Sequence, residues 1–124
     1  MRRKIYPLLV FSMVVVSAIS YAALTSYRNQ VLHAREDVLR DDLRKMRTLI
    51  DQYATDKGAL PQSLDDLVRA GYLREIPRDP FTEQPDWIVV VGPDPNSSDG
   101  RQGMIDVRSA SLNVSRAGTP YQDW

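Results

Sequence analysis

The chain has 124 residues, 16 cations against 16 acids, one histidine and no cysteine. A chain this short builds one modest core, which excludes a large enzyme with a deep pocket. Balanced charge argues against nucleic acid as a partner, and the missing thiols remove disulfides and the usual thiolate zinc sites.

Arg2, Arg3 and Lys4 form a basic head, and from Ile5 to Leu24 no charged side chain occurs. At about 1.5 Å per residue that run makes a helix of about 30 Å, the thickness of a bilayer's hydrocarbon core. Pro7 falls in its first turn, where a missing N–H has no helical partner to lose. We read residues 5–24 as a transmembrane helix. The three preceding cations place the head, residues 1–4, in the cytoplasm and the rest of the chain outside. A cleavable secretory signal cut after Ser20-Tyr21-Ala22 is the competing reading, but its apolar core would normally be only about 7–15 residues long. Ser17, Ala18, Ser20, Ala22 and Ala23 are small enough to let spans approach one another closely. Tyr21 and Tyr27 suit the headgroup level.

Residues 25–57 continue as an amphipathic helix, with neither glycine nor proline before Gly58. Leu39, Leu43, Met46, Ile50 and Tyr53 follow at gaps of four, three, four and three, and charged residues fill the other faces. Such a stripe is the buried side of a helix lying on a small sheet. Gly58 suits a left-handed cap, and Pro61 cannot continue the helix.

Residues 58–124 form a small globular α+β domain. Ser63 is expected to cap a short helix, with Asp66 completing a capping box and Gly71 ending it. Leu64, Leu67 and Val68 face inward. Trp87–Val91 and Met104–Val107 are expected strands, and Gly92–Gly103, rich in glycine, proline and serine, is the loop between them. Leu112 and Val114 add a short strand, and Trp124 docks to hold the tail.

No catalytic constellation appears, so we expect no enzymatic activity. Asp94, Asn96 and Ser98 mimic the start of an EF-hand loop, but position six is Asp99 and position twelve is Ile105, where the geometry demands glycine and glutamate. His33 has no second histidine to share a metal. Asp65 and Asp66 are explained by the first turn of a helix.

The order of short motifs resembles one family. Tyr53 to Pro61 (YATDKGALP), Ser63 to Leu67 (SLDDL), Gly71-Tyr72-Leu73, Ile76 to Phe81 (IPRDPF), Ile105 to Ala110 and the terminal Asp123-Trp124 together resemble the major pseudopilin of the type II secretion system, a member of the type IV pilin superfamily. The resemblance implies a pilin-like fold, in which the lower half of a long N-terminal helix packs on a small antiparallel sheet. It implies a bacterial inner-membrane protein with its C-terminal domain in the periplasm. Subunits of this family, alone or with other pilin-like proteins, are drawn into a filament by a cytoplasmic ATPase and a membrane platform protein. The family also binds calcium in its C-terminal loop, for which Asp123 is the one matching carboxylate. Two family features are missing: no glycine precedes the span, and no acid lies between Ile5 and Thr25. An uncut head is therefore expected, and a non-polymerising, single-span accessory membrane protein is the alternative reading.

Overall fold

The computed structural model describes residues 5–124. The basic head, and with it the reading of orientation, lies outside the described residues. The elements are α1 (Ile5–Lys57), α2 (Leu64–Arg69), β1 (Ile88–Pro93), β2 (Gln102–Arg108) and a final 3₁₀ turn (Tyr121–Asp123). The chain separates into two compact units, Met1–Ala34 and Arg35–Trp124.

The described part of the first unit is helical throughout. Its apolar side chains are uncovered: Leu8, Phe11, Met13 and Tyr21 each expose 70% or more of their surface. Ser12, Ser17 and Thr25 donate their hydroxyls to Leu9, Met13 and Tyr21 carbonyls of the same helix. These groups therefore have hydrogen-bond partners in an apolar environment. By length and composition this helix can cross a membrane, and none of its apolar window is buried inside the protein.

In the second unit the stripe is core. Leu39, Leu43, Met46 and Ile50 are buried and pack with Leu60, Leu64, Leu67, Leu73, Trp87, Met104, Val107 and Tyr121. Tyr53 is half-buried, its ring 5.6 Å from that of Tyr72. The helix stops where Gly58 adopts φ +69 and its N–H reaches the Ala54 carbonyl at 3.0 Å.

The N-terminus of α2 departs from the expected capping box. Ser63 has the extended backbone of a cap, but its hydroxyl makes no capping bond. Instead the Asp66 carboxylate accepts the Gln62 N–H at 2.8 Å, one residue earlier than a reciprocal box requires. At the other end Tyr72 N–H bonds to the Leu67 carbonyl (2.9 Å) and Gly71 N–H to that of Val68 (3.1 Å). With Gly71 at φ +83 this is a Schellman ending.

The sheet is a two-stranded antiparallel hairpin with an irregularity between Val90 and Val91. Trp87 lies just before β1 rather than in it, buried, with its indole N–H on the Pro77 carbonyl at 2.7 Å. The strands run further than their β-branched residues suggested, to Pro93 and from Gln102, so the connecting loop is shorter than residues 92–103. The reason is lateral support. Met104 N–H bonds to the Pro61 carbonyl at 2.7 Å, and a side chain at Gly103 would meet Leu60 Cβ at 2.5 Å. The Asp94 carboxylate accepts Leu60 N–H (3.0 Å) and Asn96 N–H (2.9 Å), tying the loop to the end of α1. The expected strand at Leu112 and Val114 is reduced to one bridge, Val114 to Pro120, and Leu112 is 86% exposed. The chain there turns back on itself through Ser115 N–H to Thr119 O, which leaves Leu112 outside any ladder.

Candidate functional site

Three residues before Leu39, the stripe continues into an acid. Glu36 is buried, and its Oε1 accepts the Tyr121 hydroxyl at 2.9 Å and the Arg116 N–H at 3.0 Å. Burial alone would push this carboxyl up. The Arg116 and Tyr121 hydrogen bonds, with the charges of Arg116 and Arg40, outweigh it and hold the group below its ordinary value of 4.5. Burial, reinforced by the Glu36 hydrogen bond and charge, pushes the Tyr121 phenol up to about 12.

Tyr121 is the hub of the tail. Phe81 stacks on one side with ring centres 4.1 Å apart, and Trp124 meets it edge-on at 5.0 Å. The Trp124 indole N–H is fixed by Thr119 Oγ1 at 2.9 Å, and the Arg40 guanidinium sits 4.3 Å from the Trp124 ring centre. Arg47 completes the attachment, donating to Asp106 Oδ1 (2.7 Å), the Val107 carbonyl (3.1 Å) and the Trp124 main-chain oxygen (2.6 Å). A separate knot lies behind Phe81. There Asp79 is fully buried, takes the Ser109 hydroxyl on one oxygen and receives the Phe81 N–H at 2.8 Å on the other.

Between the tail and α1 lies an open groove of about 520 Å³, with Glu36 and Asp51 at its ends, Arg40, Arg44 and Arg47 along one wall and Trp124 on the other. Its volume is that of a binding cleft. Of the stripe residues Leu43 reaches this groove, while Leu39, Met46 and Ile50 form the core with it. Ser17, Ala18, Ser20, Ala22 and Ala23 are exposed in the other unit. Asp123 is exposed, and among the described residues no three acidic or histidine side chains gather to hold a metal.

The sequence reading passed over Glu36, quoted Asp79 only within a motif and took Asp94 only as part of a failed EF-hand pattern, so the burial of these three acids was not foreseen. For Glu36 a signal existed, because it stands one step along the same three-and-four spacing. The docking of Trp124 is as expected.

The class that these features define is an α+β protein with one long N-terminal helix and a two-stranded antiparallel sheet. No protein-family model, curated protein or solved structure matches the chain.

Proposed function

We propose that the chain is a pilin-like structural subunit that polymerises into the filament of a type II secretion or type IV pilus-like system. It is held in a bacterial inner membrane by residues 5–24, with its C-terminal unit in the periplasm. It catalyses no reaction. The observation that carries this reading is the division of labour along α1: an apolar stretch with nothing covering it, then a stripe buried against a hairpin. The motif order from Tyr53 to Trp124 supports it. Bare apolar helix surface is satisfied by lipid before assembly and by neighbouring helices after it. Addition to the filament would use a platform protein and an ATPase.

The lack of an acid between Ile5 and Thr25 favours the accessory membrane module as a second reading. In pilin-like filaments such an acid pairs with a neighbour's N-terminal amine, and an uncompensated charge in hydrocarbon costs several kcal/mol. Single cysteines at Ala18 or Ala22 separate the two readings. In cells that express the assembly machinery, polymerisation gives cross-links between like subunits or to another pilin-like protein. Absence of both cross-links at normal protein level selects the accessory module.

A further inference from the structure

The tail is built inside out. Ser109, Ser111 and Ser115 are 0%, 4% and 7% exposed, whereas Leu112 is 86% and Val114 53% exposed. Hydrogen bonds hold this arrangement in place. The Ser109 hydroxyl donates to Asp79, and its oxygen accepts the Ser111 N–H at 3.1 Å. The Ser111 oxygen accepts the Asn113 N–H at 3.2 Å, and the Ser115 oxygen lies 2.8 Å from that of Thr119. Sliding the segment by one residue would bring Leu112 inside only by breaking these bonds. Single exposed apolar residues are ordinary on a protein surface. A segment that fixes its hydroxyls inside and leaves its leucine and valine outside reverses the alternation of a water-facing strand. Exposed Pro120 faces Val114 across the one bridge and extends the patch.

Charge identifies what covers it. Arg116 is exposed and is the only charged residue from Ser109 to Gln122. Its N–H is fixed by Glu36, the second residue of this unit and the first acid of the chain. Residues 25–35 carry Arg28, His33 and Arg35 and no acid. Cations without acids among them complement anionic headgroups. Apolar side chains beside basic ones make a surface that sits at the boundary between headgroups and acyl chains. Leu112, Val114 and Pro120 fall far short of the roughly 800 Å² that each partner gives to a stable protein interface. A lipid contact can be weaker, because a spanning helix on the same chain keeps the segment beside the leaflet. We infer that residues 112–120 form a second, shallow membrane contact. Leu112 and Val114 enter the boundary layer, and Arg116 pairs with the phosphate of an anionic phospholipid in the leaflet that the helix leaves. This rests on the proposed span of residues 5–24 and not on polymerisation.

The chain has no cysteine, so a fluorophore on an introduced thiol reports one position. Full-length Asn113→Cys, Gln52→Cys and Val15→Cys, all at exposed positions, are labelled and reconstituted at low density in phosphatidylcholine vesicles with and without phosphatidylglycerol. The expected result is quenching of the label at 113 by a nitroxide carried near the lipid headgroup, with the label at 52 quenched only by aqueous iodide. Adding Leu112→Asp to Asn113→Cys should abolish the lipid quenching. Adding Arg116→Glu should shift the bound-to-free ratio about fivefold or more, the effect of one surface cation, and only where phosphatidylglycerol is present. Equal iodide quenching at 113 and 52, or lipid quenching at 113 that ignores both substitutions, overturns the contact. Shielding at 113 that grows with protein density and ignores the lipid-borne nitroxide means that a second copy covers the patch, and overturns it too. Lipid quenching at 15 alone leaves the span standing without the contact. A label at 15 that meets only water overturns both.

Discussion

Tyr121 donates its hydroxyl to the Glu36 carboxylate at 2.9 Å across 85 positions of sequence, and the tail hangs on that bond. The same Glu36 oxygen accepts the Arg116 N–H, so one buried acid fixes the turn before the 3₁₀ helix and the helix itself. Removing only the hydroxyl, with Tyr121→Phe, is expected to cost about 1.5–3 kcal/mol, the range for a hydrogen bond to a charged group. Glu36→Gln added to it should cost much less than the sum of the two single changes. Denaturant unfolding of the full chain in detergent reads this, and additive losses would show that the two side chains do not act as one unit.

The same pair makes stability depend on pH at both ends of the scale. The Glu36 carboxyl is held below its ordinary 4.5, so its contribution is present above that value and lost as pH falls through the lower folded one. Asp66, lowered chiefly by the Gln62 N–H, acts in the same direction. Asp42, raised by burial, opposes them: its contribution is present at low pH and lost as pH rises. Tyr121 governs the alkaline side, where its contribution holds below 10.0 and disappears as pH climbs to about 12. That alkaline loss is on the order of 2 kcal/mol. Thermal melting of wild type against Tyr121→Phe between about pH 9 and 12 should converge as the wild type loses its advantage. Parallel curves would place the tyrosine's effect elsewhere.

The stripe supplies four of the twelve buried residues of the second unit's core. Leu43 and Ile50 are 2% and 1% exposed, so Leu43→Ala and Ile50→Ala should each cost about 2–5 kcal/mol. Asp41→Ala, on an exposed side chain with one long contact, should stay within about 0.5 kcal/mol. Equal small losses at all three would remove the stripe from the core.

What the sequence made legible follows from what is periodic. Leu39, Leu43, Met46 and Ile50 repeat with the helix and announce their own burial, and Gly58 and Gly71 mark its interruptions. The buried carboxylates are silent because their partners are distant: Glu36 binds 80 and 85 positions away, Asp94 34 and Asp79 30. The hairpin was underestimated for a related reason. Pro93, Gln102 and Gly103 have poor strand propensity, and their ladder is held by Pro61 and Leu60 from another part of the chain. Leu112 and Val114 erred the other way, since alternation alone supplies no neighbouring strand.

Calcium provides a direct check on the tail. Asp123 is exposed and stands apart from any group of three acids among the described residues, whereas calcium takes 6–8 oxygen ligands in its usual sites. Melting temperatures with calcium and with a chelator should agree within about 1–2 °C, far below the shift that a saturated tight site gives. A rise of many degrees with calcium would mean that Asp123 and the tail carbonyls form a site.

The uncovered apolar helix makes the last prediction. A helix whose apolar window has no covered residue must meet lipid, detergent or other helices, because exposing side chains such as Leu8, Leu9, Phe11 and Met13 to water is unfavourable by about 25 cal/mol for each Å². Backbone polar groups raise no obstacle in lipid, since the helix pairs them internally and Ser12, Ser17 and Thr25 return their hydroxyls to its carbonyls. The full-length protein should therefore stay with the membrane pellet in alkaline carbonate, which strips proteins held by charge, and leave it only in detergent. Asp or Arg at Val15, near the middle of the apolar run, should release part of it, at a penalty of about 2.5–3.5 kcal/mol for a charge at a helix centre. The same substitution at Tyr27, beyond Leu24, should change nothing. Release of the wild-type chain into the carbonate supernatant would remove the membrane anchor and with it the proposed role.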